Sequence, residues 1–435
     1  MVCSACGDDQ QMVRTAKYIL LSVDRKKGVP MMEQKLKLTA NILYAGIGCQ
    51  ERGIENSGVI DLDVRAVSEI DCNAVLSYAA IHKGLTPELI DGYKGYPTEE
   101  EMVQDLIRMN IGYDTAGGKA FDWNRLKKDR EYTIKKHWLA CRLIHNLGDI
   151  SRIETLPQAD MWTASFPCQD ISVAGAMRGL KEGSGTRSSL LWESIRLLRK
   201  AIEEGTEPKI LIFENVKNLV GNKFKGDFLN LLKLLEELGY RPHYKILNAK
   251  DCGVPQNRER IFIVCIRKDI DPGSFHFPRP YKSDIRVEDI INPGAGRAIP
   301  INLERLKLIA GELKKDDTYP GAGLDKKETC AGAEKPDTAD MKHTYTIGRL
   351  SPQMCFRLMG LTKEDVRKCR ALGIADRHLC GQAGNGIVTN CIQLIGEHLY
   401  KALEEPSFIC TDERMNGVRG KDTPETVQGP GRKPA

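Results

Sequence analysis

Short apolar runs alternate with segments of helical periodicity through most of this chain, and this alternation is what most constrains its fold. Apolar runs of a few residues that end in turns are typical of buried strands, whereas apolar residues spaced by three and four indicate helices. The pattern predicts strands at 41–45, 66–70, 161–165, 210–213 and 261–266. It predicts helices at 72–82, 190–202, 224–238, 351–359 and 387–403. Strands that alternate with helices favour an α/β fold with a doubly wound, mostly parallel sheet.

Two stretches, 84–146 and 267–345, interrupt the alternation and suggest how the chain is divided. We expect a flexible N-terminal extension at 1–38, a main domain at 39–266 with an insertion at 84–146, a small domain at 267–345, a return to the main domain at 346–404 and a disordered tail at 405–435. Segment 267–345 is rich in Gly, Pro, Asp and Lys, and the tail is polar, so neither predicts much regular structure. We expect translation to begin at Met31 or Met32.

Composition excludes several classes of protein. The 435 residues are 41% hydrophobic and 28% charged, as in an ordinary folded protein of two or three domains. The chain has neither an apolar run of about 18 residues nor an apolar leader, which predicts a cytoplasmic protein with no membrane partner. The 14 cysteines follow no framework spacing, and Cys3 and Cys6 lack the second pair that a metal site needs, so we expect free thiols and no metal. A net charge of +5 permits nucleic-acid binding without arguing for it.

Cys168 is the first candidate for chemistry. It follows the predicted strand 161–165 in the sequence SFPCQDIS, and the carboxyl end of a strand is where α/β folds place their reactive groups. A cysteine is most often a small apolar core residue, but the polar neighbours of Cys168 predict a loop. The residue is therefore a candidate nucleophile.

Glu214 and Arg260 form a second candidate pair. Glu214 follows apolar residues at the end of the predicted strand 210–213, which should neighbour the Cys168 strand. Burial of this carboxyl group raises its pKa and lets it hold a proton. Arg260, in the sequence QNRER, is placed to pair with Glu214 and to donate to a substrate carbonyl, although a purely structural ion pair is the alternative.

Glycines and carboxylates at other strand ends predict an adenosine-type cofactor. Gly46 and Gly48 follow the first strand, where the absence of a Cβ lets the backbone approach a ligand. Glu69 ends the second strand, where a carboxylate can accept both hydroxyls of a ribose. Asp149 is suited to an adenine amino group, although an aspartate in a turn is common. These features do not separate NAD from S-adenosylmethionine.

Taken in order, these pieces resemble the DNA cytosine C5-methyltransferase family of prokaryotes and phages. The glycine turn, the acid-ended strand, Pro-Cys, Glu-Asn-Val and Gln-x-Arg-x-Arg follow one another within 40–266. Two further matches, GRLSP leading to RLMG and then QAGNGIV, lie within 347–403. The resemblance implies a Rossmann-like catalytic domain that uses S-adenosylmethionine, with a small target-recognition domain at 267–345.

The resemblance also implies roles for the catalytic residues. Cys168 attacks C6 of cytosine in such an enzyme, and Glu214 stabilises the ring at N3. Arg260 donates to the cytosine O2, and Arg258 lies beside the extruded base or its phosphate. A stacked cytosine is inaccessible to this chemistry, so the base has to leave the duplex.

Other positions match binding residues of the family. The implied cofactor-binding residues are Tyr44, Gly46, Gly48, Glu69, Ile70, Asp149, Pro167, Leu190, Asn385 and Ile387. The implied DNA-binding residues are Gln169, Ser172, Arg178, Arg187 and Gln256. Two positions depart from the family, because Tyr44 stands where phenylalanine is usual and Gly386 where serine is common. The first change keeps the aromatic ring, and the second puts one hydrogen bond to the cofactor in doubt.

DNA contacts are predicted in two further places. Segment 267–345 is expected to read bases in the major groove. Residues 125–142 hold seven Lys or Arg against two Asp or Glu and are candidates for contacts with the phosphate backbone. A solvated helix face is an equally good interpretation of that basic stretch.

Three other functions are weighed against DNA methylation. A tRNA-directed relative of the same fold has no support, since the chain contains no Cys-Phe-Thr. A DNA-binding relative without activity has no need of Cys168, Glu214 and Arg260 together. A nicotinamide oxidoreductase shares the glycine turn and Glu69 but has no use for the Pro-Cys pair. We therefore expect a monomeric enzyme that acts on duplex DNA, with a cognate restriction endonuclease as a candidate partner.

Overall fold

The fold is organised by one six-stranded sheet. The computed structural model describes residues 35–113, 119–168, 171, 190–281, 283, 285–290, 299–301, 345–347 and 350–404. The strands of the sheet are β1 (Leu36–Leu43), β2 (Ile60–Ser68), β3 (Met161–Ala164), β4 (Ile210–Val216), β5 (Tyr240–Asn248) and β6 (Glu259–Arg267). Their order across the sheet is β2-β1-β3-β4-β6-β5.

The sheet is mostly parallel, as predicted. β1 pairs in parallel with β2 and β3, and β3 pairs in parallel with β4. β6 is antiparallel to both of its neighbours, β4 and β5, so it is the one strand of these six that runs the other way. A separate antiparallel pair is formed by β7 (Ile299–Ile301) and β8 (Tyr345–Ile347).

Helices cover both faces of the sheet. In the described residues they are α1 (Cys49–Asn56), α2 (Cys72–His82), α3 (Pro87–Gly92), α4 (Glu99–Arg108), α5 (Arg130–Leu143), α6 (Leu191–Glu204), α7 (Lys225–Glu237), α8 (Val287–Ile290), α9 (Pro352–Leu358), α10 (Lys363–Ala371), α11 (Asp376–Asn385) and α12 (Thr389–Glu404). Capping side chains fix several helix starts: Asp71 accepts a hydrogen bond from the Ala74 backbone N–H, and Thr98 and Glu101 form a capping box.

Two hydrophobic cores lie on opposite faces of the sheet. Because side chains alternate along a strand, the neighbours Ile42 and Leu43 of β1 belong to different cores. Ile212 and Phe213 of β4 divide in the same way. Apolar layers on both faces produce the doubly wound α/β fold that the alternation predicted.

The last helix completes the first half of the sheet. α12 packs mainly on α1 and also contacts β2, so it lies against the first half of the sheet. The helices approach closely, since a Cβ on Gly53 of α1 would lie 2.5 Å from Cβ of Ile392. Only a glycine fits at that point of contact.

Several predictions of element bounds need correction. β5 was not predicted, and the predicted strand 66–70 only overlaps the end of a longer strand, β2, which runs from Ile60 to Ser68. β1 begins at Leu36, so the expected boundary at 38 falls inside a strand. The insertion 84–146 contains α3, α4 and α5, of which α5 packs on α2.

The first residues of the segment 267–345, which was expected to form the recognition domain, pack on the main domain. Phe275 is 2% exposed and belongs to the main core. The hydroxyl of Ser274 donates to the Ala402 carbonyl 3.1 Å away, in α12. The boundary at 267 is therefore placed too early, while most of 282–349 and the tail 405–435 lie outside the described residues. No helix in the described part of the chain is long and apolar enough to cross a bilayer.

Candidate active site

A cavity of about 410 Å³ lies at the edge of the sheet where β1, β3 and β4 end. These strands are parallel, so their carboxyl ends meet at one edge, where open α/β sheets bind their ligands. Among the residues predicted from the sequence, the cavity is lined by Tyr44, Gly46, Glu69, Pro167, Cys168, Glu214, Arg258, Arg260, Asn385 and Ile387. The structure therefore brings the predicted nucleophile and the predicted cofactor turn into one space.

Two side-chain amides position the loop that carries Cys168. Nδ2 of Asn215 donates to the Phe166 carbonyl at 2.9 Å, which ties the loop to β4. Nε2 of Gln50 donates to Oγ of Ser165 at 2.9 Å, which ties the same loop to α1. Cys168 is half-buried, and burial together with the negative charge of Glu214 raises the pKa of its thiol.

Glu214 lies in β4, next to the strand that leads to Cys168. It is 9% exposed, and burial raises the pKa of its carboxyl group to about 7 against the opposing charge of Arg260. Nε of Arg260 lies 3.3 Å from Oε1 of Glu214. The predicted pairing of Glu214 with Arg260 is confirmed, and the carboxyl group can exchange a proton near neutral pH.

The reversed direction of β6 explains why Arg260 reaches this site. In an antiparallel partner of β4, the first residues of β6 stand beside the last residues of β4, and Arg260 pairs in register with Val216. A parallel β6 would have placed the same arginine at the opposite edge of the sheet.

Arg258 links the catalytic side of the cavity to the end of α11. Its Nη2 donates to the carbonyls of Gly384 and Gly386 at 2.9 and 2.8 Å. Burial and the charge of Arg260 lower its pKa. Arg258 thus holds the backbone around Asn385 near the start of β6.

The turn after β1 is built around one carboxylate. Glu69 accepts hydrogen bonds from the backbone N–H groups of Gly46, Ile70 and Asp71 at 2.7, 2.8 and 2.8 Å. Burial raises its pKa, and the three N–H groups oppose that rise. The carboxylate is therefore fixed in direction at the cavity wall.

Tyr44 has an unusual backbone conformation. Its φ of 55° lies in the left-handed region, which a side chain larger than glycine rarely adopts. The hydroxyl donates to the Leu190 carbonyl at 2.5 Å and lies 3.2 Å from Oγ of Ser194 in α6. These contacts anchor a residue whose backbone is strained, and strain of this kind is maintained only where the surroundings impose it.

Three predicted cofactor residues lie beside the cavity rather than in its lining. Gly48 begins α1 at φ 81°, Leu190 supplies the carbonyl that anchors Tyr44, and Ile70 donates its backbone N–H to Glu69. Each therefore shapes the wall through the backbone.

Two predicted binding residues are not among the lining residues and make hydrogen bonds within the protein. Asp149 accepts hydrogen bonds from Nδ2 of Asn110 at 2.7 Å and from the backbone N–H of Ser151. Gln256 donates through Nε2 to the Leu358 carbonyl at 2.8 Å. The structure does not bring either side chain into the cavity lining. The predicted DNA contacts Gln169, Ser172, Arg178 and Arg187 lie outside the described residues.

Seven polar residues of the lining were missed from the sequence. They are Gln50, Asp71, Asn73, Ser165, Arg377, His378 and Gln382. A signal existed for Asp71, because an aspartate before the predicted helix 72–82 is typical of a helix start. The last three lie on α11, which was not predicted as a helix because it is short and contains glycines.

The basic stretch 125–142 is largely paired within the protein. Nε of Arg130 lies 2.7 Å from Oε1 of Glu99, and Nζ of Lys135 lies 2.5 Å from Oε1 of Glu131. These contacts favour the solvated helix face over a DNA-binding surface for α5.

Comparison with known proteins places the chain in a family. The family model for C-5 cytosine-specific DNA methylase matches residues 98–307. The type II methyltransferase M2.ScrFI of Lactococcus lactis subsp. cremoris is 35% identical over 374 residues, covering 82% of this chain and 98% of that protein. The chain belongs to the C-5 cytosine-specific DNA methylase family.

Further methyltransferases are similar to this chain to different extents. The orphan methyltransferase M.SssI of Spiroplasma monobiae is 34% identical over 261 residues, covering 59% of this chain and 65% of that protein. The structure of the Entamoeba histolytica methyltransferase EhMeth covers 86% of this chain and all of its own, at a TM-score of 0.49 and 16% identity.

Proposed function

We propose that this protein transfers a methyl group from S-adenosylmethionine to C5 of a cytosine extruded from a specific site in duplex DNA, through a covalent bond between Sγ of Cys168 and C6 of the base. Family membership supports the reaction class. The observation that carries the proposal is that Cys168, Glu214 and Arg260 share one cavity with the glycine turn after β1.

The other half of the cavity fits an adenosyl cofactor. Glu69 and Asp71 offer carboxylates to hydroxyls and to a positively charged ligand. A Cβ on Gly46 would meet no atom within 4 Å, so open space lies in front of the turn. Nε2 of Gln382 is buried at the lining without a hydrogen-bond partner among the described residues, and a ligand can supply one. S-adenosylmethionine, when bound, supplies an electrophilic methyl group.

We assign the ribose hydroxyls to Glu69, and we propose that the bound adenine extends beyond the lining residues to the side chain of Ile70. Asn385 and Ile387 complete this wall from the far end of the chain. We keep Asp149 as a proposed acceptor for the adenine amino group, although it also accepts a hydrogen bond from Asn110 and is not among the lining residues.

The catalytic residues act on the pyrimidine ring. Sγ of Cys168 adds to C6, and the electron pair of the C5–C6 double bond moves into the ring. Glu214, which holds a proton near pH 7, donates it to N3 and neutralises the charge that develops there. Arg260, whose Nε lies 3.3 Å from Oε1 of Glu214, donates to O2. C5 is then nucleophilic enough to take the methyl group of a bound donor, which would leave as S-adenosylhomocysteine. A base removes the C5 proton, the N3 proton returns to Glu214, and elimination frees Cys168. We propose water as that base.

Proton exchange at Glu214 also acts on the nucleophile. The negative charge of ionised Glu214 raises the pKa of Cys168. A protonated Glu214 therefore favours the thiolate of Cys168 at the same time as it supplies the proton that N3 needs. We therefore expect the highest reaction rate when Glu214 is protonated and Cys168 is a thiolate.

The proposed DNA-binding residues rest on the family resemblance. We propose that Gln169, Ser172, Arg178 and Arg187 contact the DNA around the extruded base, and that recognition of the site belongs to the part of 267–345 that follows Tyr281. We propose a monomer, with a type II restriction endonuclease of the same specificity as a partner, because M2.ScrFI is named as a type II methyltransferase.

Covalent trapping tests the proposed function. Bisulfite sequencing of plasmid DNA treated with the enzyme first identifies the methylated site. A duplex with 5-fluorocytosine at that site is then incubated with enzyme and S-adenosylmethionine. Fluorine at C5 cannot leave as a proton, so we expect an adduct that survives a denaturing gel with the native protein and none with Cys168→Ala. The absence of an adduct from the native protein would contradict the proposed mechanism.

A further inference from the structure

A buried polar cluster lies behind the turn that follows β1. It consists of Glu51 on α1, Tyr78 and His82 on α2, and Lys83 directly after α2. Both helices begin at the cavity, since the residue before Glu51 and the first turn of α2 belong to its lining. The cluster therefore connects α1 and α2 behind the cavity wall.

Glu51 is the centre of the cluster. Its residue is 1% exposed, and its two oxygens accept hydrogen bonds from the hydroxyl of Tyr78 and from Nζ of Lys83, the latter at 2.8 Å. Lys83 balances the charge of the buried carboxylate, and the remaining acceptor is satisfied by Tyr78. The pair holds the end of α2 against α1.

His82 connects the cluster to the turn. Its Nε2 lies 3.1 Å from the Ile47 carbonyl oxygen, whereas its Nδ1 lies 3.8 Å from Glu51, which is beyond hydrogen-bond distance. The ring packs against the backbone of Gly48, where a Cβ would lie 2.4 Å from Nε2. The ring of Tyr78 supports it from the other side, with centroids 4.8 Å apart.

The protonation of His82 follows from this environment. Burial lowers its pKa to about 4 against the charge of Glu51, so the ring is neutral and carries one N–H. A carbonyl oxygen accepts only, and the hydrogen therefore belongs on Nε2, where it is donated to Ile47.

Ile47 lines the cavity, and His82 does not. We propose that His82 is a positioning residue for the methyl donor: its Nε2–H holds the Ile47 carbonyl on the side of the turn away from the cavity, and Glu51, Tyr78 and Lys83 hold the ring in place. This inference rests on the proposed function, because it assumes that the turn faces S-adenosylmethionine. A buried carbonyl without its donor turns to find another, and the wall formed by Ile47 moves with it.

Two substitutions separate the hydrogen bond from the packing of the ring. His82→Phe keeps an aromatic ring and removes the donor. His82→Gln removes the ring and restores an N–H donor at nearly the same distance from the backbone. Isothermal titration calorimetry of the full chain with S-adenosylmethionine measures the effect on the methyl donor. Filter binding to a mixed-sequence duplex measures DNA affinity, and thermal unfolding without ligand reports the stability of the fold.

We expect His82→Phe to weaken binding of S-adenosylmethionine about tenfold, as for the loss of one buried hydrogen bond, with DNA affinity within about twofold of the native protein. His82→Gln should bind the methyl donor within about threefold of native. Native affinity in His82→Phe, or equal losses in the two variants, would overturn the inference, and so would a parallel loss of DNA binding. A native protein that binds no S-adenosylmethionine at all refutes the proposed function instead.

Discussion

The cavity wall at the ends of β1 and β2 contains the half-buried Glu69, and the wall at the ends of β3 and β4 contains the buried Glu214, but the two carboxyl groups are held differently. Burial raises the pKa of Glu69 and of Glu214. At Glu69 three backbone N–H groups oppose the rise, whereas at Glu214 the opposing groups are the charges of Arg260 and Arg258. In the first wall the Glu69 carboxylate is fixed by backbone hydrogen bonds. In the second wall the Glu214 carboxyl group can gain or lose a proton near pH 7. Changes in the first should therefore alter affinity, and changes in the second should alter rate.

The largest effect is expected at the thiol of the second wall. Cys168→Ser should lower methylation of the identified DNA site by roughly 10³-fold or more, because a hydroxyl is a far weaker nucleophile than a thiolate. DNA affinity should remain within a few-fold of native in a filter-binding assay. Cys380→Ser is a matched control, since this half-buried cysteine lies outside the cavity lining. Turnover within tenfold of native in Cys168→Ser would break the distinction between the walls.

A smaller loss of rate is expected at the carboxyl group beside it. Glu214→Gln should slow single-turnover methyl transfer by about 10²-fold, the lower range for loss of a general acid. The native pKa of about 7 means that Glu214 is protonated below that pH and ionised above it. The native rate should thus gain a falling limb above about pH 7, and the variant, which cannot lose that proton, should lack it. Persistence of the same limb in Glu214→Gln would assign it to another group.

A change of affinity is expected at the hydroxyl of the first wall. Tyr44→Phe removes the bonds to Leu190 and Ser194 but keeps the ring, and one net hydrogen bond corresponds to about two- to tenfold in affinity. Calorimetry should show this weakening for S-adenosylmethionine, with kcat at saturating methyl donor close to native. Tyr96→Phe removes a hydroxyl that donates to the Ile90 carbonyl, outside the cavity lining, and serves as the control. An effect confined to kcat would contradict the assignment of this wall to binding.

The smallest effect is expected in the basic stretch that belongs to neither wall. Lys127 and Lys128 are exposed, whereas Lys135 pairs with Glu131 and Lys136 is half-buried. Alanine at 127 and 128 should lower the slope of log K against log salt for DNA binding by no more than about 2, at roughly 0.9 per phosphate contact. Alanine at 135 and 136 should leave the slope unchanged. A larger drop in the second pair would restore α5 as a DNA-binding surface.

The sequence identified the elements whose residues are uniformly apolar. β3, β4 and β6 are buried on both faces and read as continuous apolar runs. β5 was missed because it lies at the edge of the sheet, with exposed Arg241 and Tyr244 and a proline at 242 that breaks the pattern. β2 was shortened for a similar reason, since Asp61 and Arg65 point to solvent.

The site residues that the sequence predicted are reactive or charged residues at the ends of predicted strands. Cys168, Glu214 and Arg260 were found because each has an unusual residue type at the boundary of an apolar run. Their meeting depends on the reversed β6, which apolar pattern alone cannot show, because a buried run reads the same in either direction. Asp149 and Gln256 match family positions by residue type, and in this structure they make hydrogen bonds to neighbouring residues and are not among the lining residues.

The cavity wall is shared between both ends of the described chain, from Tyr44 to Ile387. A ribosome adds about 5–20 residues per second, so on the order of 15 to 70 seconds separates the synthesis of the first wall from that of α11. A nascent chain that ends before α11 already contains Cys168 but has no closed pocket for the methyl donor. Prematurely terminated products should therefore be inert towards the host chromosome rather than methylate it without discrimination.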